Sequence, residues 1–301
     1  MRPFTPMSPI LTEELPTGEE WVYQLKWDGF RILAWVHEGE VELYSKKMLL
    51  RNKSYPDLVQ ALSRYHGTFL LDGEAVILDG ATGKPSFQLM QQRDKLSDAS
   101  LIRRAAERNP VQYILFDLLQ LGDQNLRTLT YEERRAHLQE LTTGWEPPLY
   151  LADEFEDGEL LWNWIVQQGW EGLVCKKRSS KYKEGKEHQD WFKRKTLLHF
   201  DVEIVGVIWK EGRVSSLVMR KDGHYFGRVS SGLNERVKLR LSSLHTGAGQ
   251  EDYFAELPEG IRNADVRWLD LPLEARVSGR ETTTLGLLRH PKLIDLGGIP
   301  L

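Results

Sequence analysis

Within six residues, Lys26-Trp27-Asp28-Gly29-Phe30-Arg31 sets an amine, a carboxylate and a guanidinium around one Asp-Gly turn. A lysine amine attacks phosphorus only as the free base, so nearby cations or a bound metal must ease the loss of its proton. Asp28 would orient a ribose or hold that metal, and Arg31 offers a planar fork to hydroxyl or phosphate oxygens. An Asp-Gly hairpin turn with charged flanks would show the same residues. A second set lies at Trp191-Phe192-Lys193-Arg194-Lys195. Lys193 and Lys195 alternate on a strand and share one face, as a grip on a single phosphate chain requires. Gln24 shares the face of Lys26 for the same reason.

Positioning these groups falls to short strands. Residues 20–25 alternate, 30–36 are apolar-rich, and 41–44 alternate again after the turn at Glu38-Gly39-Glu40. Residues 55–65 read as an amphipathic helix. Residues 69–78 read as a strand interrupted by Asp72-Gly73-Glu74, 98–108 as a helix and 112–119 as a buried strand. Thr130-Tyr131-Glu132-Glu133 is a capping box that opens a helix to about 141, and a further helix over about 157–168 stops at Gly169. Strands at 172–177 and 190–195 close this part. From about 199 the texture changes to short strands at 202–209, 215–220 and 224–229, a helical piece near 233–244, and a strand-rich stretch from about 274. Five or so short strands with one helix suit a small Greek-key barrel of the oligonucleotide-binding type. The expected fold class is therefore α+β, with a mixed-sheet domain over 1–198 and an all-β barrel over 199–301.

The 301 residues are 41% hydrophobic and 28% charged, which fits a globular protein of one large or two medium domains. No apolar run approaches the roughly 18 residues that span a bilayer, and the N-terminal stretch lacks the apolar core of a secretion signal. The single cysteine, Cys175, excludes an internal disulfide framework, suits a reducing cytoplasm, and reads as a small buried residue. The net charge of −4 hides an asymmetry: between Lys176 and Lys195 nine Lys/Arg stand against Glu184, Glu187 and Asp190, a local charge of +6. Such density is a footprint for phosphate, or else a solvated basic loop.

Read together, the motifs resemble those of the ATP-dependent DNA ligases of the covalent nucleotidyltransferase superfamily, especially the bacterial non-homologous end-joining type and its stand-alone relatives. Lys26-Trp27-Asp28-Gly29-Phe30-Arg31 matches the first family motif, which implies Lys26 as the adenylated residue. Leu71-Asp72-Gly73-Glu74 matches the third, implying Glu74 on the ribose, and Phe116-Asp117-Leu118-Leu119 the next, implying Phe116 stacked on adenine. Glu171-Gly172-Leu173-Val174-Cys175-Lys176 matches the fourth, implying Glu171, with Asp28, at a divalent metal and Lys176 near the nucleotide. In the fifth, Lys193 and Lys195 would contact the nucleotide phosphates. The resemblance runs from Pro6 to Pro291. It places Gln24 where the family commonly has a glutamate reading the adenine amino group; a glutamine carbonyl accepts that hydrogen bond too.

The resemblance thus implies a nucleotidyltransferase (adenylation) domain followed by an OB-fold, ATP and Mg2+ or Mn2+ as cofactors, and sealing of 5′-phosphate/3′-hydroxyl breaks in nicked or broken duplex DNA. It further implies end-joining repair proteins as partners, a monomer, no membrane, and a cytoplasmic, nucleoid-associated location. Lys46, Lys47, Arg213, Arg220, Lys221 and Arg228 are the expected contacts to the DNA backbone. Two departures stand out. Ser45-Lys46-Lys47-Met48 replaces Ser/Thr-Arg-x-Gly, losing the bidentate fork and the glycine, and the chain ends without the Arg-x-Asp-Lys motif found on the barrel of relatives, for which Arg289 and Lys292 are the substitutes at hand. An RNA-joining or RNA-end-repair ligase, a guanylyl-transferring capping enzyme and a weakened ligase relative that only binds nucleic acid would share much of this set.

Overall fold

Strands form where the sequence alternates, and most helices follow a Ser, Thr, Asp or Asn whose side chain caps them. The computed structural model describes residues 4–185, 187–279, 282–283 and 285–297; Lys186 of the basic run lies outside the described residues. The chain divides into two units, Met1–Thr196 and Leu197–Leu301. The first contains β1 (Ser8–Leu11), β2 (Trp21–Leu25), β3 (Phe30–His37), β4 (Glu40–Ser45), β5 (Thr68–Val76), β6 (Gln112–Leu121), β7 (Gln124–Asn125), β8 (Leu149–Leu151), β9 (Gly172–Lys177) and β10 (Glu187–Lys195). Its helices are α1 (Pro56–Leu62), α2 (Phe87–Asp94), α3 (Ala99–Arg108), α4 (Tyr131–Leu141) and α5 (Gly158–Gln168). No helix among the described residues is long and apolar enough to cross a membrane.

Two mixed sheets face one another in this unit. One has the order β1-β10-β9-β2, with β1 parallel to β10; the other runs β4-β3-β5-β6-β7, with β8 parallel to β6. Between them Val22, Leu33, Leu70, Leu119, Tyr131 and Trp191 form a buried cluster. The outer face of the first sheet (Trp21, Tyr23, Leu173 and Cys175) packs on Leu161 and Ile165 of α5. Burial there pushes the Cys175 thiol up to about 12, as suits an inert core residue. The second sheet buries its outer face against Leu58 and Leu62 of α1 and Met90 of α2.

The capping box at α4 is present, with Thr130 and Glu133 exchanging side-chain and backbone hydrogen bonds, and α5 stops at Gly169 in the left-handed region (φ 65°). The expected interruption at Asp72-Gly73-Glu74 is instead a register shift against β6, between Asp72 and Gly73, inside a continuous β5. The unanticipated α2 carries no apolar stripe: only Met90 and Arg93 are buried, and Ser86 caps it.

Two carboxylates sit opposite each other in the second sheet, Asp72 on β5 and Asp117 on β6. Each is buried, and each receives an arginine fork. Arg31 donates to Asp72 through Nε at 2.8 Å and Nη2 at 2.6 Å; Arg134 donates to Asp117 through Nε at 2.7 Å and Nη2 at 2.9 Å. The Arg134 Nη1 group closes its remaining valences on the carbonyls of Leu129 (2.9 Å) and Ser180 (3.0 Å). A buried charge without a partner is far costlier than the pair, so these forks lock β3 and α4 to the sheet.

The second unit consists of β11 (Leu198–Lys210), β12 (Arg213–Lys221), β13 (His224–Val229), α6 (Glu235–Ser242), β14 (Asp265–Gly279) and β15 (Lys292–Leu296). Its sheet runs β13-β12-β11-β14-β15, and a parallel bridge from Ser231 to Lys292 closes it into a barrel. Val237 and Leu241 of α6 enter the interior beside Val207, Met219 and Val277. Five strands with a helix between the third and fourth make the OB-fold arrangement. The last long strand begins at Asp265, nine residues ahead of the expected start at Glu274, because its first part pairs with residues 206–209 of β11 past a bulge at Ile204/Gly206.

Replacing Arg134 with methionine should strand the Asp117 carboxylate and lower the stability of the first unit by about 3–5 kcal/mol. Denaturant unfolding monitors this, and Arg134→Met/Asp117→Asn should recover much of the loss. Equal loss in both variants would show that packing, not charge pairing, is what Arg134 supplies.

Candidate active site

Strand alternation assembles one wall of a cleft of ≈ 670 Å³ in the first unit. On β2, β9 and β10 the pairings Gln24–Val174–Lys193 and Val22–Lys176–Trp191 form rows across the sheet, and Gln24, Val174, Lys176, Trp191 and Lys193 line the cleft. A third row ends the strands: the Lys26 backbone N–H donates to the Gly172 carbonyl at 2.8 Å, and Lys195 pairs with Gly172. Gly172 (φ 150°) must be glycine, because a Cβ there would run into the Arg194 carbonyl. The facing sheet supplies Phe30 and Arg31 of β3, Glu74 of β5 and Phe116 of β6. Gly29 lets the chain after Lys26 pass over β5, where a Cβ would strike the Ala75 carbonyl.

Glu171 stands just before β9. Its Oε2 accepts from Lys26 Nζ at 2.6 Å and its Oε1 meets Lys195 Nζ at 2.9 Å. One carboxylate therefore holds both lysines at the mouth of three strands. Lys193 Nζ donates to the Pro9 carbonyl at 2.8 Å, which ties β1 to this wall.

Glu74 faces Lys26 and Arg31, with Glu171 and Asp28 nearby. Burial, helped by those two carboxylates and opposed by the two cations, pushes its carboxyl up to about 8. Lys176 lies buried with its ammonium 4.6–4.7 Å from the ring centres of Phe116, Tyr131 and Trp191, donating to the Phe116 carbonyl at 3.0 Å. Burial draws this amine down to about 7 against the opposing charges of Asp117, Glu154 and Asp72. The Phe116 ring also has the Arg31 guanidinium 5.3 Å from its centre.

The structure brings together Gln24, Lys26, Arg31, Glu74, Phe116, Lys176, Lys193 and Lys195 as lining residues, with Glu171 in contact with two of them. Arg31 differs from the expected open fork. Nε and Nη2 hold Asp72, Nη1 donates to the Met7 carbonyl at 2.6 Å, and Tyr182 completes the set by donating to Asp72 at 2.7 Å. Its charge reaches the cleft while its fork is anchored. Asp28 is not among the lining residues, although its charge is felt at Glu74.

Lys46 and Lys47 are exposed and line the same cleft, as does Arg51, which no motif signalled. Met48 takes the left-handed φ of 58° that glycine would take freely, at a cost of about 1–2 kcal/mol. The turn forms nonetheless, with the Met48 N–H donating to Ser45 O at 2.7 Å and the Met48 side chain packed on the inter-sheet cluster. On the barrel, Arg213 and Arg228 are exposed. Arg220 instead pairs with Glu203 at 2.8 Å and lies over Tyr253, and Lys221 pairs with Asp222.

A family model described as ATP dependent DNA ligase domain matches residues 5–195. The multifunctional non-homologous end joining DNA repair protein LigD of Mycobacterium tuberculosis strain H37Rv is 32% identical over 293 residues, covering 91% of this chain and 35% of the relative. This chain thus spans about a third of that relative's length. Among solved structures, mycobacterial DNA ligase D complexed with ATP and MES is similar at 30% identity and a TM-score of 0.56, covering 97% of this chain and 94% of that one. A Lig E DNA ligase at 15% identity and a TM-score of 0.64 shares the fold, with 98% of this chain and all of that one covered.

The raised Glu74 carboxyl sets a testable pH dependence. Below pH 4.5 the group is protonated whether the chain is folded or not, and it contributes nothing. Between 4.5 and about 8 the unfolded chain ionises while the folded one keeps its proton, so stability falls as pH rises through this window. Glu74→Gln should remove that penalty and gain roughly 1–3 kcal/mol over wild type at pH 8, with little gain at pH 4. Thermal unfolding of both proteins across the range checks this; a difference independent of pH would contradict it.

Proposed function

Since the chain belongs to the ATP-dependent DNA ligase domain family, we propose that it seals 5′-phosphate/3′-hydroxyl breaks in duplex DNA through an AMP carried on Lys26. The observation that carries this reading is the Lys26–Glu171–Lys195 bridge at the edge of a cleft rich in lysine and arginine. Lys26 Nζ attacks the α-phosphorus of ATP. A P–N bond forms, the bond to the β-phosphate bridging oxygen breaks, and pyrophosphate leaves. The amine must give up a proton, and the Glu171 oxygen that already accepts its hydrogen at 2.6 Å is placed to receive it. A 5′-phosphate oxygen of the broken strand then attacks the same phosphorus, breaking the P–N bond and restoring Lys26. Finally the 3′-hydroxyl attacks the activated 5′-phosphorus, and AMP departs.

Within this scheme Phe116 supplies a face for adenine, Gln24 an acceptor at its edge, and Glu74 a partner for the ribose. Lys193 and Lys195 balance charge on the transferring phosphoryl group, the main need in such chemistry. Arg31, anchored on Asp72, adds fixed positive charge. Mg2+ or Mn2+ suits the hard oxygen donors here, Glu171 at the cleft edge and Asp28, whose charge is felt at Glu74. The ion would be held by those carboxylates with phosphate oxygens and would neutralise phosphate charge.

Lys46 and Lys47 at the rim, with Arg213 and Arg228 on the barrel, are the backbone contacts this reading favours; Arg220 and Lys221 already have acidic partners. The end-joining repair names of the relatives support broken DNA as substrate and a repair setting with end-joining proteins; a monomer acting at the nucleoid is part of the same proposal.

A singly nicked duplex with a 5′-phosphate, ATP and magnesium tests the proposal. Wild type should seal it, Lys26→Ala should lose activity by at least about 10³-fold, and an all-RNA nick should be the poorer substrate. Sealing that survives in Lys26→Ala, or a preference for RNA, would overturn it. Lys46→Ala should leave AMP transfer to the protein unchanged while reducing the salt dependence of DNA binding by about one phosphate contact. Lost AMP transfer with unchanged DNA binding would instead place Lys46 on the nucleotide.

A further inference from the structure

Gln24 is a buried amide at the inner wall of the cleft, 3% exposed. Its two ends are nearly the same size, so sterics alone would let it present either an acceptor or a donor to a purine. A chain of hydrogen bonds behind it removes that freedom. Gln24 Nε2 donates to the Tyr131 hydroxyl oxygen at 2.9 Å, and Tyr131 donates in turn to the carboxylate of Glu154. The Arg135 guanidinium stands 3.5 Å from the same Glu154 oxygen, and it donates to the carbonyl of Ala152, another cleft residue, at 2.6 Å.

The polarity of this chain runs one way. A carboxylate only accepts, so the single Tyr131 hydrogen goes to Glu154. Burial, with the Glu154 charge added, holds the Tyr131 phenol well above its ordinary value, so that hydrogen stays in place. Tyr131 then has only lone pairs to offer Gln24, and only the NH2 end of the amide can meet them. The carbonyl oxygen is left toward the cleft.

Resting on the adenylation reading above, we propose that Tyr131 and Glu154 are positioning residues that lock Gln24 as a hydrogen-bond acceptor, so that the pocket takes a 6-aminopurine nucleotide and rejects a 6-oxopurine one. Adenine offers an N–H at that position, whereas guanine offers an oxygen that would oppose the Gln24 carbonyl. A site whose buried polar group is left unpaired by the wrong ligand discriminates strongly. The α4 capping box contributes to this directly, because it fixes the helix start from which Tyr131, its first residue, points between the sheets.

The test is transfer of label to the whole protein from ATP and from GTP, each labelled on the α-phosphate, with rates compared as a ratio. Wild type should favour ATP. Tyr131→Phe frees the amide to turn, and the ATP/GTP ratio should fall at least about tenfold, partly through a rise with GTP. Glu154→Gln, whose side chain can donate as well as accept, should lower the ratio by a second route. Adding Gln24→Glu to Tyr131→Phe places acceptors at both ends and should restore the preference for ATP. A merely structural role would depress both nucleotides equally and show no such rescue. An unchanged ratio in Tyr131→Phe and Glu154→Gln, or equal losses without rescue, would overturn the proposal. No label from either nucleotide in wild type would overturn the adenylation reading itself, and this inference with it.

Discussion

One carboxylate shared by two lysines is the contact around which this cleft is arranged. Glu171 meets Lys26 at 2.6 Å and Lys195 at 2.9 Å, and each of the three residues stands at the same end of a different strand of one sheet. Without an acid there, two half-buried ammonium groups would be brought together with nothing between them to offset their repulsion. The bridge also restrains a long, flexible amine to one place. On the proposed reading, a ligand phosphate entering beside it would meet a nucleophile already directed and a proton acceptor already in contact.

The buried arginine–carboxylate pairs serve a different purpose. Asp72 and Asp117 lie side by side in the second sheet, within motifs whose neighbouring residues, Glu74 and Phe116, face the cleft. Their forks come from β3 and from α4, so the facing wall is held by directed hydrogen bonds as well as by apolar packing. The anchoring explains why Arg31 contributes charge to the site and not a free fork. The same helix that brings Arg134 to Asp117 brings Tyr131 to Gln24, so the pair and the relay share one support.

Much of this was legible in the sequence wherever the two-residue period of a strand decides which face a side chain takes. That period puts Gln24 on the face of Lys26 and Lys193 on the face of Lys195, and the capping box announces α4; that the two pairs share one wall follows only from the pairing of β2 and β10 with β9. What remained hidden depends on partners distant in the chain. Asp72 is 41 residues from Arg31, and nothing in either segment shows that they pair. Tyr131 enters the sequence reading only as part of the capping box, and Glu154 belongs to none of its motifs. α2 went unseen because it is polar on most of its surface. Met48 signals a lost glycine in the sequence, and its backbone takes the left-handed φ of 58° that glycine adopts without strain.

Two amines in this cleft are candidates for AMP on chemical grounds, and geometry separates them. Lys176 is drawn down to about 7 by burial, but three aromatic rings enclose it and its hydrogen bond goes to a backbone carbonyl. Lys26 is held at the cleft edge by Glu171, with room for a phosphate and a second lysine beside it. Fragment mass spectrometry of the protein after incubation with ATP and magnesium decides between them. One AMP is expected, located on the peptide bearing Lys26 and absent from Glu171→Ala under the same conditions. AMP located on Lys176, Lys193 or Lys195, or on Lys26 to the same extent without Glu171, would contradict it.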